Sequence, residues 1–159
     1  YYKDKIVFAT TREGTKSIKR KYNWNDMPFL NLYVSEREGD QLKEPEQLNK
    51  SLNNKLHDGP ASFNAAGNQM VFTRNDPKMK GEDGTIRLQL YFTEKDEKDK
   101  WIEEVPFKLN NANYSVGHPW MNKAGVVMYF ASDMPGGVGG VGGGFAPHAG
   151  ARGDESRDH

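Results

Sequence analysis

The feature that most constrains this chain is an internal repeat with a period of 58 residues. Leu32-Tyr33-Val34-Ser35-Glu36 returns as Leu90-Tyr91-Phe92-Thr93-Glu94. Asn64-Ala65-Ala66-Gly67 with Met70-Val71-Phe72 returns as Asn122-Lys123-Ala124-Gly125 with Met128-Tyr129-Phe130, and Gly59 and Gly117 keep the same spacing. The apolar residues come in short runs rich in β-branched and aromatic types: Ile6–Ala9, Phe29–Val34, Met70–Thr73, Leu88–Phe92 and Val126–Phe130. Such runs between polar loops predict strands, and helical periodicity is almost absent. The chain therefore reads as all-β. A period of this size in an all-β chain points to propeller blades, each a four-stranded antiparallel sheet.

One complete blade spans 59–116, between partial blades at 1–58 and 117–137. In the complete blade the predicted strands are Gly59–Phe63, Gln69–Arg74, Ile86–Thr93 and Trp101–Phe107. Asn64–Gly67 is a tight turn, with Gly67 free to take a positive φ. Asn75–Gly84 reads as a polar loop, Glu94–Lys100 as a charged turn and Lys108–Val116 as a crossover to the next blade. The partial blades supply strands over 5–10, 29–35 and 41–47, and over 118–121 and 126–132. This partial β-propeller is not expected to close a ring by itself, and we read the sequence as a piece of a longer one. Nine of the 17 glycines fall after residue 135. Residues 138–159 show no strand pattern and are expected to form a poorly ordered Gly-rich tail.

Composition excludes several chemistries. Lys and Arg total 22, as do Asp and Glu, so net charge offers no argument for nucleic acid. Without cysteine there is no disulfide framework, thiolate nucleophile or Cys-based zinc site. The longest apolar run, Ala124–Ala131, is far short of the ~20 residues of a membrane helix. An apolar fraction of 35% and a mean hydropathy of −0.87 suit thin blades with long polar loops.

Gly59-Pro60-Ala61-Ser62-Phe63-Asn64, continued by Gly67 and Met70-Val71-Phe72-Thr73-Arg74, resembles the TolB-like, WD-repeat-like (PD-type) propeller repeats of Bacteroidetes OmpA-family envelope proteins. So does Gly117-His118-Pro119, continued by Gly125 and Phe130-Ala131-Ser132-Asp133-Met134-Pro135-Gly136-Gly137, the more specific stretch. The resemblance implies blade-signature roles for Gly59, Pro60, Asn64, Gly67, Phe72, Arg74, His118, Pro119, Gly125, Phe130, Ser132, Asp133, Gly136 and Gly137. It further implies a periplasmic, outer-membrane-associated propeller that binds protein partners, in some relatives within the type IX secretion apparatus. Two departures stand out. The family's Ser-Pro-Asp-Gly turn is Asn-Ala-Ala-Gly or Asn-Lys-Ala-Gly here, and after Gly137 the family's third strand gives way to Gly-rich sequence.

Few residues point to chemistry of their own. Gly137–Gly142 fits G-x-G-x-x-G, but Pro147 and further glycines follow where a phosphate-binding helix would be needed. Arg152-Gly153-Asp154 is a three-letter match to the integrin tripeptide in a polar tail. Asn49-Lys50-Ser51 and Asn113-Tyr114-Ser115 are glycosylation sequons lying in crossovers. Ser132-Asp133 lacks a Gly-x-Ser-x-Gly elbow, and Asp133 is expected to accept backbone N–H bonds in the turn that follows it. His57, Asp58 and His118 lie near successive first strands, where a metal or catalytic site would need convergence. Bonding of these side chains to blade-entry backbone is the simpler expectation. The loop Thr11–Met27 carries Arg12, Lys16, Lys19, Arg20, Lys21, Tyr22 and Trp24, a candidate binding loop.

The sequence thus predicts a non-catalytic binding or scaffolding segment with no cofactor or metal, a protein partner, no nucleic acid and no transmembrane segment. The alternatives are a hydrolase or lyase around His57, Asp58 and His118, or a carbohydrate-binding module.

Overall fold

The computed structural model describes residues 2–11, 29–49, 56–137 and the backbone of 142–147. The candidate binding loop from Arg12 to Trp24 lies outside the described residues, as do 138–141 and 148–159. The described residues are all-β and contain no helix; every strand pairing is antiparallel. No helix among them is long and apolar enough to cross a membrane.

Three sheets follow one another along the chain, and none closes on itself. In the first, β2 (Asn31–Glu38) pairs with β1 (Lys5–Thr10), β3 (Gln41–Leu42) and β4 (Glu46–Gln47). The second is a meander of β5 (Asp58–Phe63), β6 (Gln69–Lys80), β7 (Ile86–Glu94) and β8 (Val105–Pro106). The third is ordered β9 (Val116–Met121), β10 (Val127–Ser132), β11 (Gly142–Pro147).

Three expectations are corrected. β6 does not stop at Arg74 but continues to Lys80, because the turn is confined to Gly81–Gly84. There the Gly81 N–H bonds to the Thr85 carbonyl at 2.9 Å and Gly84 takes φ +80°. Pro77, which cannot donate to a ladder, falls in the register break between Asn75 and Lys80. The fourth strand is only Val105–Pro106 rather than Trp101–Phe107, because the register slips between Val105, opposite Phe92, and Trp101, which pairs with Lys95 as an isolated bridge. The Phe107 N–H still reaches the Leu90 carbonyl at 2.9 Å. Finally, residues 142–147, read as tail, form β11 and pair with all six residues of β10.

The repeat is visible in the hairpins. Asn64 Oδ1 accepts the N–H groups of Asn68 and Gln69 at 3.1 and 3.2 Å, and Gly67 takes φ +67°. Asn122 Oδ1 accepts those of Val126 and Val127 at 3.0 and 3.1 Å, and Gly125 takes φ +74°. The first residue of each turn thus supplies the side-chain acceptor that holds the hairpin.

The core lies between sheets. Met70, Phe72 and Tyr91 meet Leu32, with Val7 and Ala9 packed alongside, between the first and second sheets. Val71, Leu90 and Phe92 meet Val116, Met121, Met128 and Phe130 between the second and third. Successive residues of β6 point opposite ways, so Met70, Val71 and Phe72 are all fully buried, each at 0% exposure. That explains an unbroken apolar run in an antiparallel sheet, which ordinarily has one wet face.

Candidate functional site

A buried set of charged and polar groups sits where β5 meets β6. Their register places Asp58 opposite Arg74. The guanidinium grips the carboxylate at both oxygens, Nε to Oδ1 at 2.6 Å and Nη2 to Oδ2 at 3.2 Å. Its Nη1 donates to Glu104 at 3.3 Å. The Arg74 guanidinium also lies over the rings of Phe72 and Tyr91, at 4.8 and 5.5 Å, and the Tyr91 hydroxyl donates to Asp76 at 2.6 Å. Asp58 has no exposed surface and Arg74 almost none.

Burial governs the protonation of this cluster. It pushes the Asp58 carboxyl up to about 6, although the Arg74 bonds pull the other way. Burial, followed by the bond to Asp76, also raises the Tyr91 hydroxyl well above its usual range. Half-buried His57 is pulled down by desolvation, which suits its Nδ1 accepting the Leu30 N–H at 3.2 Å. The Asp58 N–H donates to the Leu30 carbonyl at 2.9 Å. His57 Nδ1 and the Asp58 N–H therefore fasten the second sheet to the chain entering the first. The Asp58 carboxylate, expected to bond blade-entry backbone, pairs instead with Arg74 inside the second sheet.

His118 belongs elsewhere. Its N–H donates to Thr73 Oγ1 at 3.1 Å, on the face of β6 turned to the third sheet, whereas Arg74 lies on the other face with Phe72. Its side chain is exposed and its backbone takes φ +52°. The structure thus separates His118 from the Asp58–Arg74 pair across the second sheet. Among the described residues no group of three or more His, Cys, Asp or Glu side chains is placed to hold a metal ion.

The remaining blade-signature residues divide into packing and backbone roles. Phe72 and Phe130 are core, Pro119 is buried and Pro60 is exposed. Gly59 and Gly117 admit close approach: a Cβ on Gly117 would lie 3.2 Å from Thr73 and 3.3 Å from Leu88. Gly136 takes φ +91°, and Gly137 follows it in the same exposed turn. Ser132 donates to the Ser115 carbonyl at 2.7 Å and accepts the Met134 N–H at 3.1 Å. Asp133 accepts the Ser115 N–H at 2.6 Å, so it ties back to the crossover rather than to the turn after it.

Sequence reasoning missed two polar anchors. Gln89 is fully buried inside β7; its amide donates to the Asn111 carbonyl at 2.8 Å and its oxygen accepts the Asn111 N–H at 3.0 Å. Asn110 brackets Leu90 the same way, accepting its N–H at 2.9 Å and donating to its carbonyl at 2.7 Å. The signal was the Asn110-Asn111-Ala112-Asn113 run following a strand that carries one polar residue between leucines. No family model, curated protein or solved structure matches this chain.

Proposed function

We propose that the chain is a non-catalytic binding and scaffolding segment of a β-propeller, with each sheet a blade. It presents inter-strand loops to a protein partner in the periplasm, at the outer membrane of a bacterium. The observation that carries this reading is the serial stacking of three antiparallel sheets at the period of the sequence repeat, with matching Asn–Gly hairpins at 64–67 and 122–125. The engagement of His57 Nδ1 with the Leu30 N–H and of the Asp58 carboxylate with Arg74 supports a structural rather than catalytic use of those groups. The envelope setting and the protein partner rest on the resemblance of the two blade-signature stretches.

The test is photocrosslinking in envelope extracts from the source cells, with probes at Lys16, Trp24 and Lys98. One envelope protein should be captured, and replacing residues 12–27 with a Gly/Ser linker should abolish capture without changing the far-UV spectrum. Turnover of any ester, glycoside or uronide substrate that is lost in His118→Ala, with the fold intact, would overturn the reading.

A further inference from the structure

The two joints between sheets are fastened by different chemistry. Where the third sheet meets the second, Thr73 Oγ1 accepts the His118 N–H at 3.1 Å and Ser62 Oγ accepts the Met121 N–H at 2.9 Å. Both acceptors are hydroxyls, which keep their proton at ordinary pH. Where the second sheet meets the chain entering β2, the acceptor is an imidazole: His57 Nδ1 takes the Leu30 N–H at 3.2 Å. The Asp58 N–H completes this joint by donating to the Leu30 carbonyl at 2.9 Å, so Leu30 is bracketed just before β2 begins. One repeat on from His57 stands Ser115, whose N–H and carbonyl bond Asp133 and Ser132 instead. Among the described residues, a titratable side chain thus accepts the bond at one joint and not at the other.

A neutral imidazole has one N–H and one acceptor nitrogen. With Nδ1 accepting from Leu30, the ring proton sits on Nε2, and a second proton must go to Nδ1. Two N–H groups would then face each other across 3.2 Å, and the bond is lost. The ring has little freedom to turn aside, because Phe29 packs against it with centroids 4.9 Å apart. The His57 backbone is held in the second sheet, its carbonyl accepting the Asn75 N–H at 3.2 Å. The displacement therefore falls on Phe29 and Leu30, at the joint itself. Among the described residues the ionisable groups nearest His57 are its neighbour Asp58 and, flanking Asn75 on β6, Arg74 and Asp76; Phe29–Asn31 contributes none. The Asp58 carboxylate turns to Arg74, which also donates to Glu104. Asp76 accepts the Tyr91 hydroxyl and the Lys78 N–H.

The geometry points to a pH-sensitive joint between the first and second sheets: protonation of His57 releases the Leu30 N–H and loosens that joint, while the joint to the third sheet holds. Burial lowers the affinity of the ring for its second proton. The joint is therefore fully fastened above the ordinary imidazole value of 6.5 and loosens as pH falls below it. Asp58 takes up its proton over an overlapping range, but inside the second sheet, where that uptake favours the folded state. Mild acid thus frees one interface and leaves the body of the second sheet intact. This device is independent of the propeller reading, since it uses only the bonds that bracket Leu30.

Amide hydrogen exchange of the full chain, followed by NMR between about pH 7.5 and 5, tests this. The protection factor of the Leu30 amide, corrected for the intrinsic pH dependence of exchange, should fall about three- to tenfold, as the loss of one net hydrogen bond implies. Those of the His118 and Met121 amides should stay level. In His57→Asn, whose Oδ1 takes the place of Nδ1 without titrating, Leu30 protection should also stay level. A second measurement uses the wild-type chain alone and does not depend on that variant folding. The His57 ring should titrate below 6.5, and the Leu30 amide shift should follow it with the same midpoint. Level Leu30 protection in the wild-type chain, or an amide shift that ignores the ring, would overturn the proposal. So would an equal fall in His57→Asn, which would assign the effect to Asp58, or an equal fall at His118 and Met121, which would mean a general loosening.

Discussion

Asp58 has no route to water, and among the described residues its ion pair is with the Arg74 guanidinium, with which it shares two hydrogen bonds. Its carboxyl titrates near 6 in the fold against an ordinary 3.8. A group that binds its proton more tightly when folded favours folding most fully below its unfolded pKa. That contribution is lost as pH rises through the folded value. The shift corresponds to about 3 kcal/mol. Exposed Glu36 and Asp83 act in the opposite sense: hydrogen bonds to Lys5 and to Arg87 lower their pKa, so their contribution fades as pH falls through the acid range. His57, whose pKa burial lowers, works the other way between pH 4 and 7, so urea midpoints of the wild-type chain should fall relative to those of Asp58→Asn as pH rises across that window. Parallel curves for the two proteins would show that Arg74 holds Asp58 ionised throughout.

At the scale of elements, the two repeat hairpins are built from one side chain and one backbone conformation. Ala at Gly67 would force a left-handed residue at about 1–2 kcal/mol, and its Cβ would fall 2.8 Å from Lys3 and 2.9 Å from Tyr2. Asn64→Ala removes two side-chain acceptor bonds and should cost about 1–2 kcal/mol. Thermal unfolding of both variants checks this; losses below about 0.5 kcal/mol would mean the turn is held by its neighbours. These hairpins were legible because Asn and Gly announce a turn through chemistry that survives in a string of letters. β11 was not, because a strand written Gly-Gly-Gly-Phe-Ala-Pro has almost no side chains to alternate, and its ladder to β10 is made by backbone alone. The far end of β6 was missed for a related reason. Asp76, Pro77 and Lys78 look like loop residues, and only the turn chemistry at Asp83-Gly84 shows where the strand reverses.

For the whole molecule, burial is unequal among the three sheets. The second is covered on both sides, and the others each have one face turned away from the shared core. Phe72→Ala should therefore cost about 3–5 kcal/mol as a cavity in a site that cannot relax toward solvent. Leu42→Ala, at an edge residue that is 50% exposed, should stay within about 0.5 kcal/mol. Denaturant titration separates the two, and a loss at Phe72 no larger than at Leu42 would refute the two-faced core. The stacking itself could be anticipated from the repeat, since a repeated sheet must bury its faces on its neighbours. The Asp58–Arg74–Glu104 cluster could not. Its members are spread over 46 residues of sequence and meet only because β5, β6 and the segment before β8 share one side of a sheet.

The two-faced burial of β6 also sets an order in time. A ribosome has finished Met70–Phe72 well before it reaches Met128 and Phe130, which cover the Val71 side. At about 5–20 residues per second that interval lasts about 3–12 s. Once Tyr91 has followed, the emerging chain carries one finished interface and one bare one until β10 arrives, and the bare one is the stretch a chaperone would find.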